Sequence, residues 1–379
     1  MKKFAKRVKL LVKRTNTLDE KICIAYNIFM SIILAFLLLI GDSTPITEKI
    51  LLAGLYLTFP EKILQSQTET NSTIFEQQNF SNSENSSQVS SVINSSVPKD
   101  VQMLMKNAEK KYADSSKDGL IIESDYSKQN ATSEFNGIYL RNTTLNHKVN
   151  ISDYVNKKVY ASVDVSQPTV LIYHTHSTET YELLDRGYYT KARSSLSQDK
   201  KENMIRVGEE ICKVLEKNGY KTIHDKTVYD EEYNGAYNRS FEGVKNTLKS
   251  NPSIQIVLDI HRGTIYQKDG SRIKTVTETD GKKIAQIQII SGCEDGNVTD
   301  FPNWEKNFAF AVKLQKQLAD TNSKLVRPLL LCSRKYNMHL MPCALQIEIG
   351  TDANTLLEAV YSAEFFAESL SQLLKEYEI

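Results

Sequence analysis

Hydrophobic positions change their rhythm along the chain. From Ile22 to Ile40 they run unbroken, with no charge and only Asn27 and Ser31 clearly polar. From Gln65 to about residue 97 they thin to single apolar side chains among Asn, Ser, Gln and Thr. Beyond about Val149 they fall into short runs separated by stripes of helical period. Strands are predicted at Thr169–Tyr173, Tyr220–His224, Ile254–Ile260, Ile284–Ile290, Val326–Cys332 and Ala344–Ile349. Helices are predicted between them. Met204, Val207, Ile211, Val214 and Leu215 form one stripe within Asn203–Lys217, which Asn218-Gly219 should end. Phe241–Leu248, Trp304–Leu318 and Thr355–Leu374 complete the set. Alternation of this kind predicts an α/β fold, a mostly parallel sheet with helices on both faces.

The N-terminal third reads as an address rather than a core. Residues 1–21 carry Lys2, Lys3, Lys6, Arg7, Lys9, Lys13, Arg14 and Lys21, and the apolar stretch 22–40 follows them directly. At about 1.5 Å per residue such a helix spans the hydrocarbon core of a bilayer, and the basic flank predicts a cytoplasmic N-terminus. The chain is therefore expected to cross the cell membrane once, with everything after Gly41 outside. No small-x-small cleavage site follows, which favours a retained anchor over a signal peptide. Residues 41–64 suggest an interfacial helix, opened by Thr44-Pro45 and interrupted by Glu48, Lys49 and Gly54. Residues 65–99 are too polar to offset chain entropy and read as a disordered linker. In 100–148 only a short helix near Met103–Tyr112 stands out, leaving 149–379 as the folded catalytic unit.

Charge and cysteine content narrow the function. A net charge of +1 leaves no global basic field for phosphate, so nucleic acid is not an expected partner. The five cysteines, Cys23, Cys212, Cys293, Cys332 and Cys343, include no CxxC pair. They fit neither a disulfide framework nor a thiolate metal site, although Cys332 and Cys343 could meet if their strands were neighbours.

Chemistry-bearing residues collect where such folds place their sites, at the carboxyl ends of strands. His174-Thr175-His176-Ser177-Thr178-Glu179 follows the first core strand, His261 follows Ile254–Ile260, and Glu348 closes a late strand. Three of the six histidines thus fall at strand ends. Catalytic zinc takes three protein donors and keeps a fourth position for water. His176, Glu179 and His261 are the expected ligands, with Glu202 a rival to Glu179 whose other role is a helix N-terminal charge. Glu348 is the expected catalytic carboxylate, accepting the proton of a water and delivering it to a leaving amine. His174 is expected behind the ligands, and Asp259 on the same side of its strand as His261. His147, His224 and His339 are read as non-ligands.

Four stretches carry a resemblance. LIYHTHSTETY (Leu171–Tyr181), VLDIHR (Val257–Arg262), KYN (Lys335–Asn337) and LQIEIG (Leu345–Gly350) resemble the stage II sporulation protein P family, from about Thr169 to the C-terminus. The resemblance implies a zinc-dependent N-acetylmuramoyl-L-alanine amidase of cell-wall peptidoglycan, with some endopeptidase activity, acting during sporulation engulfment. It also implies a fold like that of zinc amidases and carboxypeptidases, behind a transmembrane helix. Stage II sporulation proteins D and M are the implied partners, and Arg262, Tyr336 and Asn337 the implied neighbours of the ligands or substrate. The family usually reads HRD where this chain has His261-Arg262-Gly263. A zinc carboxypeptidase using Arg262 or Arg334 for the substrate's terminal carboxylate is the alternative enzyme. A tethered wall-binding protein without catalysis is the alternative of another class.

Overall fold

The computed structural model describes residues 97–379. The basic tail 1–21, the anchor 22–40, the interfacial helix 41–64 and nearly all of the linker 65–99 lie outside the described residues. Among the described residues no helix is long and apolar enough to cross a membrane.

The chain enters with helix α1 (Lys99–Lys111) and three strands, β1 (Gly119–Ser124), β2 (Ser133–Phe135) and β3 (Ile138–Asn142). Then follow β4 (Pro168–Tyr173), β5 (Tyr188–Tyr189), α2 (Met204–Lys217), β6 (Lys221–His224), α3 (Ala236–Ser250) and β7 (Ile256–Gly263). The remainder is β8 (Arg272–Thr279), β9 (Lys282–Ala285), β10 (Ile287–Gly292), α4 (Trp304–Thr321), β11 (Leu329–Cys332), β12 (Ala344–Thr351) and α5 (Leu356–Leu374). Local chemistry accounts for the helix limits. The Asn203 side chain accepts Ile205 N–H at 3.0 Å to start α2, and Gly219 at φ +95° turns the chain out of it. Thr355 and Glu358 form a reciprocal capping box on α5, a feature that contributes about 1 kcal/mol.

Eight strands form the main sheet in the order β2-β3-β11-β10-β12-β7-β4-β6. Five of its seven pairings are parallel, as expected, but the sheet is mixed, since β10 runs antiparallel to β12 and β2 to β3. The cause lies in the connections. After β7 no helix carries the chain back to the other end of the sheet; the β8–β9 hairpin turns it around, so β10 enters from the end where β7 leaves. The predicted strand Ile284–Ile290 is accordingly two strands, divided at Gln286. That fully buried residue passes the chain between sheets: its N–H donates to Thr275 O and its C=O accepts from Gly350 N.

The second sheet has the order β5-β1-β8-β9. Three of its four strands were invisible in the hydrophobic pattern, and residues 100–148 supply β1 to it as well as β2 and β3 to the main sheet. Side-chain alternation divides the core. Val170 and Ile172 of β4 with Ile256, Leu258 and Ile260 of β7 join α2, α4 and α5 on one face. Leu171, Tyr173 and Val257 pack with Val244 of α3 on the other. Helices therefore cover both faces, and Asp259 and His261 project with Val257 toward the α3 side. Cys212, Cys293, Cys332 and Cys343 are buried and free, and β10 separates the strands of Cys332 and Cys343.

Candidate metal-assisted active site

The ends of β4, β7 and β12 lie side by side, and they bring the predicted residues together. Glu348 and His261 are register partners across the parallel β12–β7 pair. His261 Nδ1 lies 3.7 Å from Glu179 Oε2, and its Nε2 lies 2.9 Å from Asp259 Oδ1. The Asp259 contact is off the N–H direction, an electrostatic contact rather than an aligned hydrogen bond. The His176 ring meets that of His261 edge-on, with centroids 5.4 Å apart. Asp259 is fixed in turn by Thr175, whose N–H and Oγ1–H donate to its carboxylate at 2.8 and 2.6 Å.

Electrostatics follow from burial and crowding. Burial, then the neighbouring His261 charge, pushes His176 down to about 4. Burial pulls His261 in the same direction, but the carboxylates of Asp259, Glu179 and Glu348 outweigh it and lift the imidazole to about 10. Glu179 is raised to about 7 by burial, against the opposing charges of Arg262 and His261. Burial works against Asp259 ionising, yet His261 and the Thr175 hydrogen bonds hold its carboxyl below the usual range. The site thus concentrates negative charge around one imidazole, an environment that a divalent cation would neutralise.

Two observations bear on whether a metal fits. Two donors each about 2.1 Å from a tetrahedral ion stand about 3.4 Å apart, close to the 3.7 Å between His261 and Glu179. His176 Nδ1 and Glu348 Oε2 are buried atoms with no hydrogen-bond partner, a condition that calls for an explanation in a native site. Among the described residues no three His, Cys, Asp or Glu side chains already converge at metal-ligand spacing. His176 is the donor that stands off, stacked on the Tyr233 ring at 4.4 Å. The donor set and its orphaned atoms fit zinc.

The other predicted residues surround this group. Glu202 pairs with Arg193 at 3.2 Å, so Glu179 is the carboxylate at His261. His174 turns to the other face, its Nδ1 2.9 Å from Ile260 O and its Nε2 2.9 Å from His224 Nε2. Arg262 donates its backbone N–H to Glu179 Oε2 and spends its guanidinium on Thr180 O, Ser195 O, Gly263 O and Thr264 Oγ1. It is a brace for the Glu179 loop. Tyr336 and Asn337 both adopt left-handed backbone, at φ +42° and +58°, a strain that buried neighbours must hold in place. The Tyr336 ring leans on Tyr237 at 5.1 Å, and Asn337 Nδ2 donates to Tyr237 O and Ser240 Oγ.

Tyr237, on the first turn of α3, was not singled out from the sequence. Its ring lies parallel to His261 and edge-on to His176. Its hydroxyl donates to Gln346 Oε1 at 3.2 Å, and Gln346 Nε2 donates to Glu348 Oε1 at 2.8 Å. Gln346 was the legible member, since residues two apart on a strand share a face. Asp230, held by Ser177 and Thr178 and 3.9 Å from His176 Nδ1, was also missed.

A sequence model of the family described as Stage II sporulation protein P (SpoIIP) matches residues 60–371. The chain belongs to the stage II sporulation protein P family. The member from Bacillus subtilis (strain 168) is 27% identical over 234 residues, a match covering 59% of this chain and 55% of that relative's length. The chain therefore spans little more than half of this family relative. Among solved structures, the N-acetylmuramoyl-L-alanine amidase AmiC2 of Nostoc punctiforme aligns at TM-score 0.34 with 12% identity, covering 57% of this chain and 98% of that one. The CwlD amidase from Clostridioides difficile, solved with the GerS lipoprotein, aligns at TM-score 0.34 with 15% identity, covering 55% and 98%.

Proposed function

We propose that this member of the family is a zinc-dependent hydrolase of peptidoglycan, an N-acetylmuramoyl-L-alanine amidase acting in sporulation engulfment. One observation carries the reading: Glu348, with an unpartnered buried oxygen, stands in register with His261, which faces Glu179 and His176. His176, His261 and Glu179 are the residues that would hold zinc, and a bound ion would supply Lewis acidity toward an amide carbonyl and toward water. Asp259 holds the far nitrogen of His261 and so turns its other nitrogen toward Glu179. Glu348 Oε2 takes the proton from the attacking water and passes it to the departing nitrogen. The C–N bond breaks, leaving a carboxylate on the glycan side and an amine on the peptide. Tyr233, half exposed over His176, gives the open side of the site an aromatic wall.

On this reading the segment 22–40 anchors the chain in the cell membrane with its N-terminus in the cytoplasm, and the site faces the wall beside stage II sporulation proteins D and M. The Arg262 guanidinium is taken up by backbone carbonyls and the Thr264 hydroxyl, which disfavours the carboxypeptidase reading that would use it. Metal analysis of the purified protein, together with mass spectrometry of digested wall, tests the proposal. Bound zinc and release of intact stem peptides support it; release of single terminal amino acids alone, or no release at all, rejects it.

A further inference from the structure

Gly263 leaves a gap between two charged groups that nothing among the described residues fills. A Cβ at this position would lie 3.6 Å from Arg327 Nη1, 3.7 Å from Glu348 Oε2 and 3.3 Å from Gly350 O. Arg327 is 8% exposed. Its backbone, just ahead of β11, is fixed by β10 and α4, its N–H donating to Ile287 O at 2.7 Å and its C=O accepting from Gln315 Nε2 at 2.9 Å. Among the described residues its guanidinium has no hydrogen bond and no ion pair; it lies 5.8 Å from the Tyr126 ring and feels the Glu348 charge without touching it. Burying an arginine without a partner is costly, and its planar fork matches a carboxylate in two parallel hydrogen bonds.

We propose that Arg327 binds a carboxylate of the peptide substrate, in the gap that Gly263 opens beside Glu348. The proposal rests on the hydrolase reading and extends it to the substrate's chemistry: a peptide with a free carboxylate near the scissile amide. Three features select an anion there. Burial holds the guanidinium down to about 10, with the charge of Arg141 acting in the same sense and Glu348 opposing. Glu348 is the nearest acid to the gap, and its Oε2 accepts no hydrogen bond from Arg327. Gly263 is partly exposed and Thr264 exposed, so the gap opens on the side where substrate approaches. The carboxylate has two sources in a stem peptide, the side branch of its glutamate and its C-terminus, and the second would turn the site toward terminal cleavage.

The test uses the full-length protein and wall-derived stem-peptide substrates with the glutamate carboxyl free or amidated, and with the C-terminus free or amidated. Amidating the carboxylate that Arg327 reads raises KM in the wild type by about 10- to 100-fold with kcat little changed. Arg327→Met abolishes that preference. So does Gly263→Asp, which keeps Arg327 but gives it a built-in carboxylate, and which carries the test should Arg327→Met fail to fold. Equal handling of free and amidated substrates by the wild type overturns the proposal, as does an equal loss on both in the variants. Calorimetric binding of the released peptides, free against amidated, reads the same preference without turnover. A protein that discriminates in binding yet cuts nothing refutes the hydrolase reading alone, whereas one that cuts without discriminating refutes only the Arg327 site.

Discussion

His261 Nδ1 and Glu179 Oε2 face each other at 3.7 Å, although 82 positions apart in the chain and carried by different segments. Their separation is close to the roughly 3.4 Å between two donors of one tetrahedral ion, and the His261 imidazole is held between this carboxylate and that of Asp259. His176→Ala and His261→Ala should each lose bound zinc and activity together. Glu348→Gln should keep the metal and lose about 10²- to 10⁴-fold in kcat, the usual contribution of a general acid–base group. Metal content and turnover measured on the same preparations separate the roles. Retained zinc in both histidine variants contradicts the ligand assignment.

The choice between two carboxylates is open to a similar comparison. Glu179 is partly buried beside His261, whereas Glu202 is taken by Arg193. Glu179→Gln should lower zinc occupancy sharply, because a neutral amide is a poor substitute for a carboxylate toward a dication. Glu202→Gln should leave occupancy unchanged. The reverse pattern would move the third ligand to the start of α2.

Much of this site was legible because strand ends are legible. The apolar runs before His174 and around His261, and the alternation before Glu348, each located a strand, and the rule of carboxyl-end sites then grouped their neighbours. Continuous or alternating hydrophobicity does not encode strand direction, and so the antiparallel course of β10 was lost. It follows from the β8–β9 hairpin, whose Lys274 is buried among Asp185, Glu358 and Glu123 and whose Lys282 and Lys283 pair nearer the surface with Glu364 and Glu123. Tyr237 was hidden for another reason. It sits on a helix N-terminus far in sequence from Glu348, and only the packing of α3 over β7 brings its hydroxyl to Gln346.

Stability away from the site should depend on pH through Asp295. Its carboxylate accepts from Ser333 Oγ and Leu145 N at 2.6 Å and from Asn146 Nδ2 at 2.7 Å. Burial opposes ionisation, but these bonds hold the group down to about 2. A depressed folded-state value means that the stabilisation is present above the unfolded value near 4 and is lost as pH falls through about 2. The shift corresponds to roughly 1–2 kcal/mol. Asp295→Asn should melt a few degrees below wild type at pH 7, with the gap closing toward pH 2. A gap that stays constant across that range would assign the loss to packing instead.

Gln346 should act on turnover only through Glu348. Its amide donates to Glu348 Oε1 and accepts from Tyr237, which leaves Oε2 as the oxygen free to take a proton. Gln346→Met removes the donor with little change in volume. It should lower kcat about 10-fold with KM and zinc content near their starting values, and Tyr237→Phe should do the same more weakly. The decisive measurement is a double-mutant cycle. If Gln346 works by orienting the base, adding Gln346→Met to Glu348→Gln should change kcat by less than about 2-fold, because the group it positions is already gone. A full, independent 10-fold loss in that background would instead make Gln346 a part of the sheet's packing with no bearing on the proton transfer.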